Sequence, residues 1–408
     1  MKQVYKIIII IAVGVLLQSC SIYKVSKLAK QGSVSNTVYF TQIPFNYYHD
    51  FIFVEVTIND KKYNFFLDTG AEISAIGQHI KDEIDFKVIA SSKVSATSKT
   101  KRDYEFIQLP KISISNVDFE NTGAIIADLS HFEKLVGCVK VDGIIGNNLL
   151  RKSVWQIDYK NKKLIITDNF EKLMVSPEAS EIVMNSGKSG NVYLDVTIGG
   201  AKSKFTFDTG FTGKIKSDKQ FFDLLIENNN ALEYTTETGI TGANLHEVTT
   251  GTTYYAYVKT VNVEGVIVND QIISLEQGSS SLVGNQFFKN YILTLDWKND
   301  KLFLDLTSEI KADTLKGYEL FFLPNYATNK IEVFCYQDDH LLEEKVSLGA
   351  EILMINDIDV SDFSTLELCE YWEREREIIK NEKTIDMVVL DSGVRKKIKL
   401  TQKILLPK

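Results

Sequence analysis

The sequence predicts a mainly β protein in which one β-rich lobe occurs twice and a small α+β domain follows. Two observations predict the duplication: a strand–turn–strand segment that recurs, and a second recurring segment further along each copy. A third observation, a change of pattern after residue 308, predicts the separate C-terminal domain. Apolar residues make up 44% of the 408 residues and charged residues 25%, which is ordinary for a globular protein.

The first recurring segment ends in the tripeptide Asp-Thr-Gly. Residues 53–70 alternate apolar and polar side chains as a half-buried strand does, turn once, and end in Asp68-Thr69-Gly70. The same pattern runs over residues 193–210 and ends in Asp208-Thr209-Gly210, 140 residues after the first motif. One Asp-Thr-Gly arises easily by chance, but two that are placed alike within a repeat do not.

The second recurring segment follows at an offset of 138 residues. Ile144-Ile145-Gly146-Asn147 precedes a strand–turn–strand pattern, and Leu282-Val283-Gly284-Asn285 precedes its counterpart. Two ordered matches at nearly the same offset indicate that a whole β-rich lobe is duplicated.

The two aspartates offer what hydrolysis of a peptide bond by water requires. One group must take a proton from the water, and another must protonate the carbonyl oxygen of the peptide bond. Two carboxyl groups that share one proton can do both, because like charges about 3 Å apart cannot both be ionised. The glycine after each threonine allows a sharp turn whose N–H faces a carboxylate.

The duplicated hydrophobic-Asp-Thr-Gly pattern, with an apolar-apolar-Gly segment downstream of each copy, resembles the aspartic proteases of the pepsin and retropepsin type. The resemblance implies a bilobal acid protease fold in one chain, so that a monomer builds the whole active site. It implies that Asp68 and Asp208 are the catalytic pair and that the two threonine hydroxyls interlock. The residues implied to support the catalytic loops are Thr69, Gly70, Thr209 and Gly210.

The sequence departs from the pepsins directly after each glycine. Ala71 and Phe211 stand where pepsins have a serine, so a supporting hydroxyl beside each aspartate is missing. The alternative interpretation is a catalytically inactive protein that binds peptides on the same lobes. Peptides or proteins are the expected partners in both cases.

Composition argues against other classes of ligand. Four cysteines and five histidines show no metal-binding spacing, so we expect neither a metal nor another cofactor. Acidic residues outnumber basic ones by 54 to 46, and the densest basic runs contain no aromatic residues. A nucleic-acid partner is therefore not expected.

Two polar segments lie at comparable positions after the two aspartates. They are residues 91–102, rich in Ser, Thr and Lys, and residues 235–253, rich in Gly and Thr. Each is interpreted either as a flap that covers substrate or as an ordinary solvated loop.

The N-terminus is typical of an exported lipoprotein. An apolar run of eleven residues, Ile7–Leu17, is too short to span a bilayer but suits the core of a signal peptide. Leu17-Gln18-Ser19-Cys20 resembles a bacterial lipobox, which implies cleavage before Cys20 and lipidation of that residue. The protein would then be anchored to a membrane of the cell envelope, facing the periplasm or the exterior. The alternative is an uncleaved anchor.

The C-terminal domain has a resemblance of its own. Residues 348–360, with a short helix before them, resemble the glycine, strand, Asn-turn and strand of PDZ domains, and a charged helix over 363–380 and a strand over 383–390 follow. PDZ domains add a peptide end as a strand beside a loop and a helix, which implies a role in substrate selection here. That loop would lie near residues 316–320. The alternative is a packing domain without a ligand.

The cysteines of this domain leave two possibilities open. Cys335 and Cys369 either form a disulfide or remain buried free thiols.

The predicted organisation therefore has five parts. They are a signal peptide (1–19), a tether (20–36), a first lobe (37–175), a second lobe (176–308) and a PDZ-like domain (309–408).

Overall fold

A computed structural model describes residues 23–95, 100–187, 190–227, 233–337 and 346–407. Strands account for 54% of the chain and helices for 15%, so the predicted mainly β class is confirmed. The signal peptide, Cys20 and the short helix predicted before residue 348 lie outside the described residues. Within the described part of the chain, none of the helices has the length and apolar character needed to cross a bilayer.

The first part of the chain is built from strands joined by short helices. Residues 23–30 are helical (α1). The strands are β1 (Ser33–Val34), β2 (Phe40–Pro44), β3 (Asn46–Tyr48), β4 (Phe51–Ile58), β5 (Lys61–Leu67), β6 (Ser74–Gly77), β7 (Lys87–Ser95), β8 (Lys101–Ile114), β9 (Val117–Ala127), β10 (Gly143–Ile145), β11 (Val154–Asp158) and β12 (Lys163–Thr167). The helices are α2 (Ser130–Val136) and α3 (Asn147–Leu150), with 3₁₀ turns at Gln78–Glu83 and Phe170–Lys172.

The second part repeats this order of elements. Its strands are β13 (Ser180–Val183), β14 (Asn185–Ser186), β15 (Val192–Ile198), β16 (Ala201–Phe207), β17 (Ile215–Asp218), β18 (Tyr234–Ala243), β19 (Val248–Val263), β20 (Val266–Glu276), β21 (Leu282–Val283), β22 (Tyr291–Asp296) and β23 (Lys301–Leu306). Its helices are α4 (Lys219–Glu227) and α5 (Asn285–Phe288).

The C-terminal part combines strands with one long helix. Its strands are β24 (Leu315–Gly317), β25 (Leu320–Asn325), β26 (Lys330–Gln337), β27 (Glu351–Ile355), β28 (Ile358–Asp359), β29 (Thr384–Asp391), β30 (Val394–Thr401) and β31 (Lys403–Leu406). The helix is α6 (Thr365–Asn381). It begins at a capping box in which Ser364 and Glu367 each bond the backbone N–H of the other.

The hairpin before each Asp-Thr-Gly motif turns through residues with positive φ. Asn59 and Asp60 have φ of 50° and 60°, and Gly199 and Gly200 have φ of 53° and 83°. Two central residues with positive φ match the right-handed twist of the flanking strands, and asparagine, aspartate and glycine tolerate that conformation best. Different residues thus make the same turn in the two copies.

The strand pairing around each motif is repeated. In the first sheet β5 pairs in parallel with β10, which pairs antiparallel with β6, and β6 pairs in parallel with β9. In the second sheet β16, β21, β17 and β20 have the same partners in the same directions. The residue after β5 or β16 is an aspartate, and the short strand beside it is the apolar-apolar-Gly segment.

A six-stranded sheet takes strands from both copies in the order β13-β23-β22-β11-β12-β2. At its centre Gln156 pairs with Thr294, and their side chains are hydrogen-bonded at 2.9 Å. These two residues are 138 positions apart, the same offset as the duplicated segments. The sheet is therefore nearly symmetric about this pair, and the symmetry brings equivalent residues of the two copies face to face.

The C-terminal part extends the second sheet. β26 pairs with β18, with Gly239 opposite Cys335, and β27, β29 and β30 continue the sheet outward. β24 and β31 form a separate two-stranded sheet. The buried side chains of β25 to β30 and α6 form a core of their own, whereas one core runs through both copies of the repeat.

The possible pairing of Cys335 with Cys369 is wrong. Cys369 on α6 forms a disulfide with Cys138, 231 residues earlier, and Cys335 is a buried free thiol. Cys335 points into the contact between β26 and β18, where a methyl group on Gly239 would lie 2.4 Å from its Cβ. The disulfide therefore joins the C-terminal part to the first copy, while the strand pairing joins it to the second.

Within the segment predicted as a tether, α1 packs against the first copy. Leu28 is 1% exposed and lies in a cluster with Phe51, Phe66 and Ile144. Ser33 and Val34 then pair with β9. Chain beyond residue 22 is thus part of the folded protein.

Candidate active site

Asp68 and Asp208 are held at the ends of equivalent strands. The N–H of Asp68 donates to the carbonyl of Ile145 at 3.0 Å, and the N–H of Asp208 donates to that of Val283 at 2.9 Å. Each aspartate therefore continues a parallel strand pair, and its backbone is fixed by the apolar-apolar-Gly segment beside it.

Each carboxyl group accepts two hydrogen bonds from the turn that follows it. Oδ1 of Asp68 accepts from the N–H groups of Gly70 at 2.8 Å and Ala71 at 2.9 Å. Oδ1 of Asp208 accepts from those of Gly210 at 2.8 Å and Phe211 at 3.1 Å. Ala71 and Phe211 thus support the carboxyl groups through their backbone, although they lack the serine hydroxyl.

The structure brings the two carboxyl groups into contact. Each carboxyl group lies against the turn of the other copy, and a methyl group placed on Gly70 would lie 2.6 Å from Cγ of Asp208. A methyl group on Gly210 would likewise lie 2.5 Å from Cγ of Asp68. Only glycine lets each turn approach the opposite aspartate so closely.

Both carboxyl groups resist ionisation. Burial raises the pKa of Asp68, and the N–H groups of Ala71 and Gly70 oppose that rise. Burial raises the pKa of Asp208 well above its usual range, and the charge of Asp68 raises it further. A pair of this kind holds a proton at pH values where isolated carboxyl groups are ionised.

Thr69 and Thr209 lock the two turns together. The hydroxyl of Thr69 accepts from the N–H of Thr209 at 2.9 Å and donates to the carbonyl of Phe207 at 2.9 Å. The hydroxyl of Thr209 accepts from the N–H of Thr69 at 3.1 Å and donates to the carbonyl of Leu67 at 3.0 Å. Four hydrogen bonds between fully buried groups therefore fix the two aspartates relative to each other.

Residues 54–149 match the aspartyl protease family.

The aspartyl protease match contains the first Asp-Thr-Gly motif and the segment that ends at Gly146. The second motif lies outside it, so the equivalence of Asp208 and Asp68 follows from the repeated sequence, strand pairing and hydrogen bonds. No curated protein matches the chain. Among the described residues, no group of three or more His, Cys, Asp or Glu side chains has the arrangement of a metal site.

The two segments interpreted as flaps or loops belong to hairpins of the two copies of the repeat. Residues 91–95 and 100–102 lie in the hairpin of β7 and β8, whose tip at 96–99 is outside the described residues. Residues 235–253 form the hairpin of β18 and β19. Arg102 donates to the carbonyl of His246 at 2.7 Å, so the two hairpins touch near their ends.

A groove of about 550 Å³ runs from the two copies of the repeat into the C-terminal part. Its walls include four residues of the predicted peptide-binding loop, together with Phe321 on β25 and Ile379 on α6; the four are Lys316, Gly317, Tyr318 and Leu320. Thr212, two residues after the second Asp-Thr-Gly, lines its other end. Among the described strands, β25 pairs only with β26, and Leu320 to Leu323 of β25 line this groove.

Sequence reasoning missed two features of the site. Cys138 was not linked to any partner, because a spacing of 231 residues carries no signal of pairing. Asn147 and Asn285 belong to a repeated motif, but the motif alone does not show that their side chains contact the Asp-Thr-Gly turns. The repeat itself was the signal that could have singled them out.

Proposed function

We propose that this protein is an aspartic endopeptidase, in which Asp68 and Asp208 hydrolyse peptide bonds with a water molecule held between them. The observation that carries the proposal is the placement of two carboxyl groups side by side, one from each copy, each against the opposite turn and each fixed by two backbone N–H groups. Asp208 is buried and Asp68 is partly buried. A structural turn has no need to bury two carboxyl groups against each other, because such burial costs stability unless the groups share a proton.

The shared proton gives the mechanism. The ionised carboxylate takes a proton from the water, which attacks the carbonyl carbon of the peptide bond, and the protonated carboxyl gives its proton to the carbonyl oxygen. When the tetrahedral intermediate collapses and its C–N bond breaks, the departing amine takes the proton from the protonated carboxyl. The ionised carboxylate takes a proton from one hydroxyl of the intermediate, so the pair again holds one proton. The mechanism needs no acyl-enzyme, and the interlocked threonines keep the two carboxyl groups in place throughout the cycle.

In this proposal the C-terminal part is a PDZ-like domain that selects substrates. The free edge of β25 and the side chains of Trp372 and Ile379 on α6 suit an extended peptide that is added as a strand. Because the groove also reaches Thr212, one substrate chain would occupy both the groove and the cleft. The gain in affinity would come from raising the local concentration of the scissile segment near the aspartates.

The location proposed for the enzyme is the cell envelope, with Cys20 lipidated and the folded part facing the periplasm or the exterior. The disulfide between Cys138 and Cys369 supports this location, since such bonds persist in oxidising compartments and are rare in the cytoplasm. Replacement of Cys20 by Ser should abolish incorporation of a fatty-acid probe, and unchanged labelling would show that the lipobox interpretation is wrong.

The test of activity uses residues 20–408 with Cys20→Ser, incubated with a mixed peptide library at several pH values. The proposal expects cleavage by this protein and none by its Asp68→Asn variant, and the cleaved bonds would report the preference of the cleft. Binding of library peptides without cleavage at any pH would instead support the inactive peptide-binding protein.

A further inference from the structure

Two buried asparagines form hydrogen bonds with the turns that carry Asp68 and Asp208. Asn147 and Asn285 follow the apolar-apolar-Gly segments of the two copies, and both side chains are fully buried. Nδ2 of Asn147 donates to the carbonyl of Thr69 at 2.6 Å. Nδ2 of Asn285 donates to the carbonyl of Thr209 at 2.5 Å. The same contact is thus built twice, at equivalent places.

Each contact lies one peptide group away from a catalytic carboxyl. The carbonyl of Thr69 and the N–H of Gly70 belong to one planar peptide unit. That N–H donates to Oδ1 of Asp68 at 2.8 Å. A hydrogen bond to the carbonyl end of a peptide polarises its N–H end and strengthens the bond that the N–H donates. Asn147 therefore acts on Asp68 through a single rigid group.

The second copy has the same relay, that is, an asparagine amide, a peptide group and a carboxyl group linked by two hydrogen bonds. Asn285 bonds the carbonyl of Thr209, and the N–H of Gly210 in the same peptide unit donates to Oδ1 of Asp208 at 2.8 Å. Since this bond favours the ionised carboxylate, its strength helps to set the pH at which the pair loses its first proton.

Both asparagines also reach the opposite copy. Asn147 donates to Oδ1 of Asn191 at 3.1 Å. Asn285 donates to the carbonyl of Asp50 at 2.8 Å and accepts from the hydroxyl of Tyr159 at 2.7 Å. The relays are therefore anchored across the two copies, as the threonines are.

We infer that Asn147 and Asn285 are positioning residues for the proposed hydrolysis, orienting and polarising the peptide groups that hold the carboxyl groups of Asp68 and Asp208. The inference rests on the proposed function for its kinetic consequences. It predicts an effect on kcat and on the titration of the pair rather than on substrate binding, because neither buried side chain can touch a substrate.

Asn148 provides a matched control. It is next to Asn147, is also buried, and bonds the N–H of Ser74 and the carbonyl of Gly123 at 2.8 Å and 2.6 Å. Those partners are not in either Asp-Thr-Gly turn. Asn148→Ala therefore removes an equally buried amide from the same helix without interrupting a relay.

The experiment compares Asn147→Ala, Asn285→Ala and Asn148→Ala with the parent protein. Loss of a relay should lower kcat by about tenfold with KM changed by less than about twofold, because it weakens the N–H bond to the charged carboxylate, and bonds of that kind contribute more than bonds between neutral groups. It should also move the acid limb of the pH profile upward, because weakening a bond to the carboxylate raises its pKa. Asn148→Ala should lower the melting temperature but leave the acid limb in place. If Asn285→Ala does not fold, Asn147→Ala decides.

A second measurement does not depend on activity. NMR titration of aspartate labelled with ¹³C at the carboxyl carbon, assigned with Asp68→Asn and Asp208→Asn, reports the ionisation of the pair directly. An upward shift in the Asn147→Ala protein, absent in Asn148→Ala, would support the inference even if no peptide is cleaved, in which case only the proposed function fails. Identical titrations in all of these proteins would overturn the inference and leave the asparagines as structural residues.

Discussion

The two copies of the repeat end their sheets differently. In the first sheet the outermost strand is β7, which among the described strands pairs only with β8 and carries exposed lysines at positions 87 and 93. In the second sheet the equivalent strand, β18, is covered by β26 of the C-terminal part. An uncovered edge strand invites pairing with other chains, and charged side chains discourage it. One copy thus protects its edge with charge, whereas the other uses it to dock a further part of the chain.

The C-terminal part nevertheless contacts both copies. Beside the disulfide to Cys138, Arg376 on α6 contacts His49 at 2.7 Å, and Glu373 lies 3.4 Å from the same imidazole. The comparison shows that a duplicated lobe can keep a nearly symmetric pair of Asp-Thr-Gly turns while its surroundings become asymmetric. The five predictions that follow test whether the chemistry depends on both copies alike and whether stability and substrate choice depend on the asymmetric contacts.

The largest expected effect falls equally on both copies. Asp68→Asn and Asp208→Asn should each abolish hydrolysis, because an amide can neither accept nor pass on the shared proton. Peptide cleavage by the purified variants measures this. Substantial activity in one variant and none in the other would show that the pair is not a symmetric dyad.

The same variants have a pH-dependent effect on stability. The pKa of Asp208 is raised in the folded protein. Below its unfolded pKa this carboxyl group is protonated in both states and lowers the stability of the fold little. As the pH rises through its folded pKa, the carboxyl group destabilises the folded protein increasingly. Asp208→Asn should therefore raise the melting temperature at neutral pH and raise it much less near about pH 4. A gain that is equal at both pH values would argue against the raised pKa.

The disulfide tests the link to the first copy. Cys369→Ser should destabilise the protein by about 2–4 kcal/mol, the usual contribution of a bond that closes a long loop. Urea unfolding with and without reductant measures this, since reductant should weaken the parent protein and leave the variant unchanged. Cys335→Ser is a control, because that thiol is not part of the disulfide.

The strand pairing tests the link to the second copy. Gly239→Ala places a methyl group 2.4 Å from Cβ of Cys335, so it should destabilise the contact between β18 and β26 by about 1–3 kcal/mol. Gly251→Ala is the matched control, because Gly251 pairs with Gly239 in the same hairpin and a methyl group there meets only Thr241, at 3.9 Å. Equal stabilities of the two variants in urea would show that the docking contributes little.

The smallest expected effect concerns substrate choice. Phe321→Asp puts a charge into the groove and should raise KM for a protein substrate by about tenfold, which corresponds to about 1.4 kcal/mol, while leaving cleavage of short peptides unchanged. Removal of the residues after Leu306 tests the same role with a larger change, because it also exposes β18 and removes the disulfide. A folded, monodisperse truncated protein that no longer cleaves short peptides would make the C-terminal part a piece of the catalytic scaffold.

The repeat explains how much of the site was predictable. The two Asp-Thr-Gly motifs, the interlocking threonines and the packing of the apolar-apolar-Gly segments all involve residues that the duplication marks twice. The hairpins before the motifs were predictable as well, because Asn-Asp and Gly-Gly favour the same turn.

What was not predictable depends on contacts between distant and unrepeated segments. Neither the pairing of β18 with β26 nor the bond between Cys138 and Cys369 has a counterpart in the other copy. Cysteine connectivity is set by the distance between two side chains in the folded state, and sequence spacing does not encode that distance. The roles of Asn147 and Asn285 required knowing which carbonyl each amide meets.

The burial of Leu28 sets how far this protein can work from a membrane. If Cys20 carries the lipid, only eight residues separate the anchor from a side chain fixed in the folded body. Eight residues span at most about 28 Å even when fully extended. The folded protein would then stay within a thin layer next to the bilayer. Its substrates would be chains that emerge from the membrane or lie against it, whatever sequence the cleft prefers.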